Sequence, residues 1–233
     1  MPDPGTENVL QGRTFDAVLF DMDGTLIDST PAVNRSWALW AEEWEVAKDE
    51  TSHGRPARDI IEELVPAERV DEAIARILEL ETADTNDITV LPGAAALMNS
   101  LPESRRAIVT SCARPLAVAR LGASALVAPK VIVTIDDTPR GKPFPEPFLE
   151  GAARLGVDPR RCLVIEDAPA GLQAGRAAGC TTIGVAGTYA AAELDADLIV
   201  PGLDHLRIEV AAGGLILRLV SPNSQERSPS PPK

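Results

Sequence analysis

The sequence predicts an α/β protein: a parallel sheet with helices on both faces, interrupted after its first strand by an all-helical unit. Three observations point to this. Short apolar runs recur along the chain and alternate with helical patterns, the signature of strand–helix–strand units. The first run, Phe15, Ala17, Val18, Leu19 and Phe20, is apolar toward both faces, as a strand covered on each side must be. Between Asp28 and about Pro92 no such run occurs, and the spacing is helical throughout.

The elements follow in order. "MPDPGTENVLQGRTF" is acidic and Pro-containing, without an apolar stretch of signal-peptide length. "AVLFDMDGTLID" is the first strand, ending in Asp21 and Asp23 and relaxing at Gly24. "TPAVNRSWALWAEEWEVA" puts Val33, Trp37, Trp40, Ala41 and Trp44 on one helical face, with Thr30 as N-cap and Pro31 in the first turn. All 3 tryptophans lie here, and they read as the core of a small helical domain rather than a sugar-stacking platform. "RDIIEELV" and "RVDEAIARILELE" continue the helical pattern.

From Leu91 the strands "RAIVTS", "KVIVTI", "RCLVIED", "CTTIGVA" and "ADLIV" alternate with the helices "PGAAALMNSL", "PLAVARLG", "PEPFLEGAARLG" and "AGLQAGRAAG". Gly171, Gly175 and Gly179 lie at intervals of four and read as a face packed close on the sheet, not as a dinucleotide fingerprint. "LRIEVAAGGLILRLV" reads as a hairpin turning at Gly213 and Gly214, added at the sheet edge. "SPNSQERSPSPPK" is Ser/Pro-rich and reads as a disordered tail. The expected division is a core of 1–28 and 93–220, a helical domain of 29–92 and a tail of 221–233.

Composition narrows the function. The 233 residues are 45% hydrophobic, enough for a substantial core. The formal net charge of -13 argues against nucleic acid or an anionic membrane as partner. The 3 cysteines, Cys112, Cys162 and Cys180, include no C-x-x-C pair and read as reduced core residues. With no transmembrane run, a cytoplasmic protein is expected, as a monomer or weak dimer.

In an open parallel sheet, ligands bind beyond the carboxyl ends of the strands. The polar groups delivered there are Asp21 and Asp23, then Thr110 and Ser111, then Lys142, then Glu166 and Asp167. Four carboxylates against one lysine leave a surplus of negative charge. That surplus calls for a hard divalent cation with oxygen ligands, and Mg²⁺ fits. Close like charges also raise one another's pKa, so one carboxyl can stay protonated.

"DMDGT", "VTS", "GKPFPEPF" and "VIEDAPAG", in this order and spacing, resemble the four motifs of the haloacid dehalogenase superfamily. Within it, "HGRPARDII", "GKPFPEPFL" and "IEDAPAGLQAGRAAGC" are most similar to the sugar-phosphate and polyol-phosphate phosphatases. The resemblance implies a Rossmann-like core with an inserted α-helical cap domain, and a Mg²⁺-dependent phosphatase acting on a small sugar or polyol phosphate. Asp21 is then the nucleophile that forms an aspartyl-phosphate, and Asp23 the acid–base that serves the leaving alcohol and the water. Gly24 lets the chain turn close to the phosphate. Ser111, with Thr110 beside it, holds phosphate oxygens, and Lys142 neutralises the phosphate and Asp21. Asp167 binds Mg²⁺ with Asp21 and the backbone carbonyl of Asp23, while Glu166 binds through water or orients its neighbours. In the cap, His53 and Arg55 face the substrate, and the cap closes on hinges near Asp28–Thr30 and Val90–Gly93. Asp23 and the following Gly-Thr point to phosphate rather than dehalogenation. The rival readings are a β-phosphoglucomutase-like phosphomutase and a non-catalytic phosphate-binding member.

Overall fold

The structure is a computed structural model, and it describes residue 10 and residues 12–47 and 57–221. β1 (Ala17–Phe20) leads through a tight turn to β2 (Ile27–Asp28) and the helices α1 (Thr30–Glu43), α2 (Ala57–Leu64) and α3 (Val70–Ala83). The chain returns through β3 (Thr89–Val90) to α4 (Ala94–Asn99), β4 (Arg106–Val109), α5 (Arg114–Ser124) and β5 (Ile132–Val133). It continues through α6 (Glu146–Leu155), β6 (Cys162–Glu166), α7 (Pro169–Ala177), β7 (Thr181–Val185) and β8 (Leu198–Val200), and ends in β9 (Leu206–Ala211) and β10 (Gly214–Leu219). Six strands form one parallel sheet in the order β5-β4-β1-β6-β7-β8.

Both faces of that sheet are buried, and the alternation along each strand sorts the side chains. On β1, Val18 and Phe20 join one apolar cluster, with Leu116, Ala117 and Leu121 of α5 and the hairpin residues Ile208 and Leu215. Ala17 and Leu19 join the other, with Phe148 and Ala152 of α6 and Ala174 of α7. β4 and β6 divide in the same way: Ile108, Leu163 and Ile165 go to the first cluster, Ala107, Val109, Cys162 and Val164 to the second. A strand with two dry faces explains why these runs are apolar without a break.

The helices between β2 and β3 have an apolar cluster of their own: Trp40, Ala41, Ile61, Val65, Val70, Ala73, Ile77 and Leu80. Trp40 is fully buried, and its indole N–H donates to the Ala73 carbonyl at 3.0 Å, so its polar end is satisfied inside the core. An aromatic buried this fully contributes roughly 3–5 kcal/mol against Ala. Trp37 and Trp44 pack half-buried against this cluster, in line with a core role. The chain leaves and re-enters the sheet through the short antiparallel pair Ile27–Val90 and Asp28–Thr89.

Several expectations need correction. Ser29, not Thr30, occupies the N-cap position of α1, and its hydroxyl serves Asp23 instead of capping the helix. The buried face of α1 is Ala32, Ser36, Trp40 and Ala41, displaced from the face read in the sequence. "KVIVTI" contributes only Ile132 and Val133 to the sheet, because the chain turns at Thr134 into a capped 3-10 turn. The C-terminal hairpin does not extend the parallel sheet. It is a separate antiparallel pair, with Gly214 opposite Ala211, joined to the N-terminal segment by a bridge between Leu215 and Phe15. Of the three spaced glycines, Gly175 and Gly171 pack close on β6 as expected, on Val164 and Glu166, whereas Gly179 lies past the end of α7 against Arg160. All three cysteines are free thiols. No helix among the described residues is long and apolar enough to cross a membrane.

Candidate active site

The site forms where β1, β4 and β6 end side by side. Phe20 pairs with Ile165, so the next residues, Asp21 and Glu166, are neighbours across the strand ends. The Asp21 amide continues the ladder to the Ile165 carbonyl at 2.9 Å. Lys142 arrives from the segment between β5 and α6. Its ammonium donates to Asp21 Oδ1 at 2.6 Å, to Glu166 Oε1 at 2.7 Å and to the Val109 carbonyl at 2.9 Å. Those three bonds use every donor the group has. The Lys142 Nζ also lies 5.2 Å from the Phe148 ring centre, so its stem crosses apolar surface.

Asp167 follows directly after Glu166 and accepts from Thr25 Oγ1 at 3.3 Å and from the Thr188 hydroxyl. Thr25 is the threonine of the Gly-Thr pair after Asp23, whereas Thr188 was not singled out in the sequence. Gly24 makes their meeting possible: its φ of +82° is in the left-handed region, and a Cβ there would strike the Asp167 carboxylate and Thr188. Glu166 Oε2 accepts from the Ala168 amide at 2.7 Å, which fixes its carboxylate at the start of α7. Gly171, one turn into that helix, clears the space this carboxylate fills. Gly171→Ala should therefore push Glu166 off Lys142. The expected result is a fall in kcat of about tenfold or more, measured by phosphate release, with the circular dichroism spectrum unchanged. Wild-type turnover in this variant would mean that Glu166 can move without cost.

Asp21, Glu166 and Asp167 are all buried, and each can bring one carboxylate oxygen within 4.8 Å of the others'. Burial, together with the charges of Glu166 and Asp167, holds Asp21 well above the usual carboxylate range, against the pull of Lys142. Asp167 is pushed up to about 7, by burial first and by the charge of Glu166. Burial opposes the charge on Lys142, but Asp21 and Glu166 outweigh it and raise its pKa. Three buried carboxylates facing one ammonium, all with oxygen donors, fit a hard divalent cation such as Mg²⁺.

Asp23, expected to offer Mg²⁺ only its backbone carbonyl, turns its carboxylate elsewhere. Its carboxylate stands outside this three-carboxylate group. Oδ1 accepts from Ser29 Oγ at 2.6 Å and pairs with an Arg120 guanidinium nitrogen at 2.9 Å, while Oδ2 accepts from Cys112 Sγ at 3.1 Å. The count of four carboxylates against one lysine therefore omitted a second cation. Arg120 had a signal of its own: it lies on the buried face of α5 with Leu116, Ala117 and Leu121, where a solvated arginine has no place.

Thr110 and Ser111 follow β4 at the same edge. Thr110 is buried, and its hydroxyl accepts from the Cys112 amide at 3.1 Å, shaping the loop. Ser111 is exposed at the mouth. His53 and Arg55 lie outside the described residues.

A family model for haloacid dehalogenase-like hydrolases matches residues 15–179. The chain is 38% identical over 208 residues to Hexitol phosphatase A of Escherichia coli (strain K12), covering 85% of this chain and 96% of that protein. It is 34% identical over 213 residues to Glycerol-1-phosphate phosphohydrolase 2 of Saccharomyces cerevisiae, covering 82% of this chain and 84% of that one. Among solved structures, a hydrolase from Pseudomonas syringae superposes with a TM-score of 0.72 at 27% identity, over 81% of this chain and 94% of that chain. Asp21, Lys142 and the Glu166–Asp167 pair thus fall within the matched span, and the chain belongs to the haloacid dehalogenase-like hydrolases.

Proposed function

We propose that this phosphoric monoester hydrolase cleaves a small polyol or sugar phosphate through an aspartyl-phosphate at Asp21. The observation that carries the reading is the convergence of Asp21, Lys142, Glu166 and Asp167 in one buried cluster, with the Asp23 carboxylate held beside it on separate partners. Asp21 is the carboxylate that Lys142 grips through Oδ1, which leaves Oδ2 to attack phosphorus. Asp23, kept apart from the cluster, donates a proton to the leaving alkoxide and later takes one from water. Ser111 at the mouth receives phosphate oxygens. When Mg²⁺ is bound by Asp21, Asp167 and the Asp23 carbonyl, it supplies positive charge against the phosphoryl oxygens. The helical unit of residues 29–92 acts as a cap that excludes bulk water. Both relatives named above carry polyol-phosphate names, which supports that substrate class.

Phosphate release should depend on Mg²⁺ and vanish in excess chelator. Adding Mg²⁺ alone should raise the melting temperature, and Asp167→Asn should remove that rise. Phosphorus NMR of the enzyme with a hexitol phosphate, glycerol 1-phosphate or a hexose 1-phosphate should show inorganic phosphate as the main product. Conversion of hexose 1-phosphate to the 6-phosphate, accelerated by the bisphosphate, would overturn the phosphatase reading. Arg58 of α2 pairs with Asp71 at 3.1 Å and Glu62 at 3.5 Å instead of standing ready for a second phosphate, which favours water as acceptor.

A further inference from the structure

Arg120 is 4% exposed, and its guanidinium spans two parts of the molecule. One nitrogen pairs with Asp23 Oδ1 at 2.9 Å and lies 3.3 Å from Cys112 Sγ. The other reaches Glu81 Oε1 at 3.3 Å, near the end of α3 in the helical unit. Glu81 is itself mostly buried and is hydrogen-bonded by Trp37 of α1. The remaining donor of the guanidinium, Nε, is buried without a partner. Leaving a buried donor unmade is costly, so the side chain is held here by its two carboxylates and not by a full set of bonds. Ser29, the other donor to Asp23 Oδ1, lies where the chain passes from β2 into α1.

Thus both donors on Asp23 Oδ1 lead to the helical unit: Ser29 by the chain itself and Arg120 through Glu81. Among the described residues Oδ2 meets only the Cys112 thiol, a weak donor, and it is the oxygen we assign to face the leaving group. Burial pushes the Glu81 carboxyl up, and Arg120 opposes that push. The guanidinium keeps its charge in spite of desolvation because Asp23, Cys112 and Glu81 surround it.

We propose that Arg120 is the positioning residue for Asp23, and that Glu81 completes its setting only when the helical unit is docked, so that docking aims the acid. The proposal rests on the reading of Asp23 as the acid–base group. A general acid contributes about 10²–10⁴-fold, and only while its oxygen is held near the atom it protonates. In the step concerned, Asp21 Oδ2 forms its bond to phosphorus as the P–O bond to the leaving group breaks, the electron pair of the broken bond stays on the leaving oxygen, and the proton of Asp23 moves to that oxygen. A nitrophenolate leaving group carries the charge itself and needs no proton.

That difference provides the test. kcat and KM are measured for an alkyl phosphate, the better substrate of glycerol 1-phosphate and a hexitol phosphate, and for p-nitrophenyl phosphate. The enzymes compared are the wild type, Arg120→Met, Arg120→Lys, Glu81→Gln and Asp23→Asn, each in Mg²⁺. Arg120→Met should lower kcat/KM, which reports departure of the leaving group and not the later hydrolysis common to both substrates, about 10–100-fold on the alkyl phosphate and less than about threefold on p-nitrophenyl phosphate. Glu81→Gln should show the same selectivity, more weakly. Arg120→Lys should recover part of the alkyl-phosphate rate, since an ammonium can still reach Asp23 but cannot fork to both carboxylates. If Arg120→Met does not fold, Arg120→Lys and Glu81→Gln carry the same comparison. Equal losses on both substrates, or none on either, alongside a selective loss in Asp23→Asn, would overturn the positioning role alone. A flat Asp23→Asn profile would remove the acid–base reading and the proposal with it.

Discussion

Asp21→Asn should abolish phosphate release and, in chelator, leave a protein that melts a few degrees higher than the wild type. The amide has nearly the shape of the carboxylate but cannot attack phosphorus, so loss of turnover is the direct result. The gain in stability comes from where Asp21 sits. It is buried beside Glu166 and Asp167, and its carboxyl is held well above the ordinary value of 3.8. A raised folded-state pKa means the folded protein binds the proton more tightly than the unfolded chain. Its contribution to stability is therefore full below 3.8 and is lost as pH rises above that value. At neutral pH without metal, the charge is a burden that asparagine removes. Lys142 keeps Glu166 at 2.7 Å, so it is not left unpaired. For a chain of this size, about 1 kcal/mol shifts the melting temperature by roughly 2–4 °C. Substantial residual turnover would rule out Asp21 as nucleophile, and a lower melting temperature would mean its bond to Lys142 outweighs desolvation.

Lys142→Met should have the opposite effect on stability and the same effect on activity. Methionine matches the stem but leaves Asp21, Glu166 and Asp167 buried around no cation. Breaking a buried ion pair by removing one partner costs about 3–5 kcal/mol. The melting temperature in chelator should fall by roughly 10 °C. It should recover as pH is lowered toward 5, because protonation then removes the charges that repel one another. Turnover should be lost even in Mg²⁺, since among the described residues no other cationic side chain reaches Asp21 Oδ1. A melting temperature within a degree or two of the wild type would show that the carboxylates already share protons and need no lysine.

The contrast between Lys142 and Arg120 shows what a sequence displays and what it hides. Lys142 stands in a proline-bound loop just after a strand, so its place at the sheet edge could be read from local order. Arg120 stands on the apolar face of a helix, a setting that marks it as buried but does not say what it meets. Its partners Asp23 and Glu81 are remote in sequence and are brought together only when α3 packs on α5. The same reasoning covers the rest. β1 and β6 were legible because both their faces are dry and their runs have no polar break. The hairpin's turn was legible from its glycines, but its docking on Phe15 depends on a distant contact that no local pattern carries. The close packing of Gly171 on β6 was legible from its spacing, but not that the side chain it meets there is Glu166.

β1 is flanked by β4 and β6, and both partners are encoded far downstream of it. During synthesis at about 5–20 residues per second, the strand that carries Asp21 waits on the order of 10 s before its second neighbour exists. The helical unit has no such wait, because its apolar cluster draws on residues 40–80 alone. The expected order of assembly is therefore the helical unit before the sheet. Until β6 emerges, the apolar strand β1 has an open edge, and that interval is when a nascent chain of this topology most needs protection from other chains.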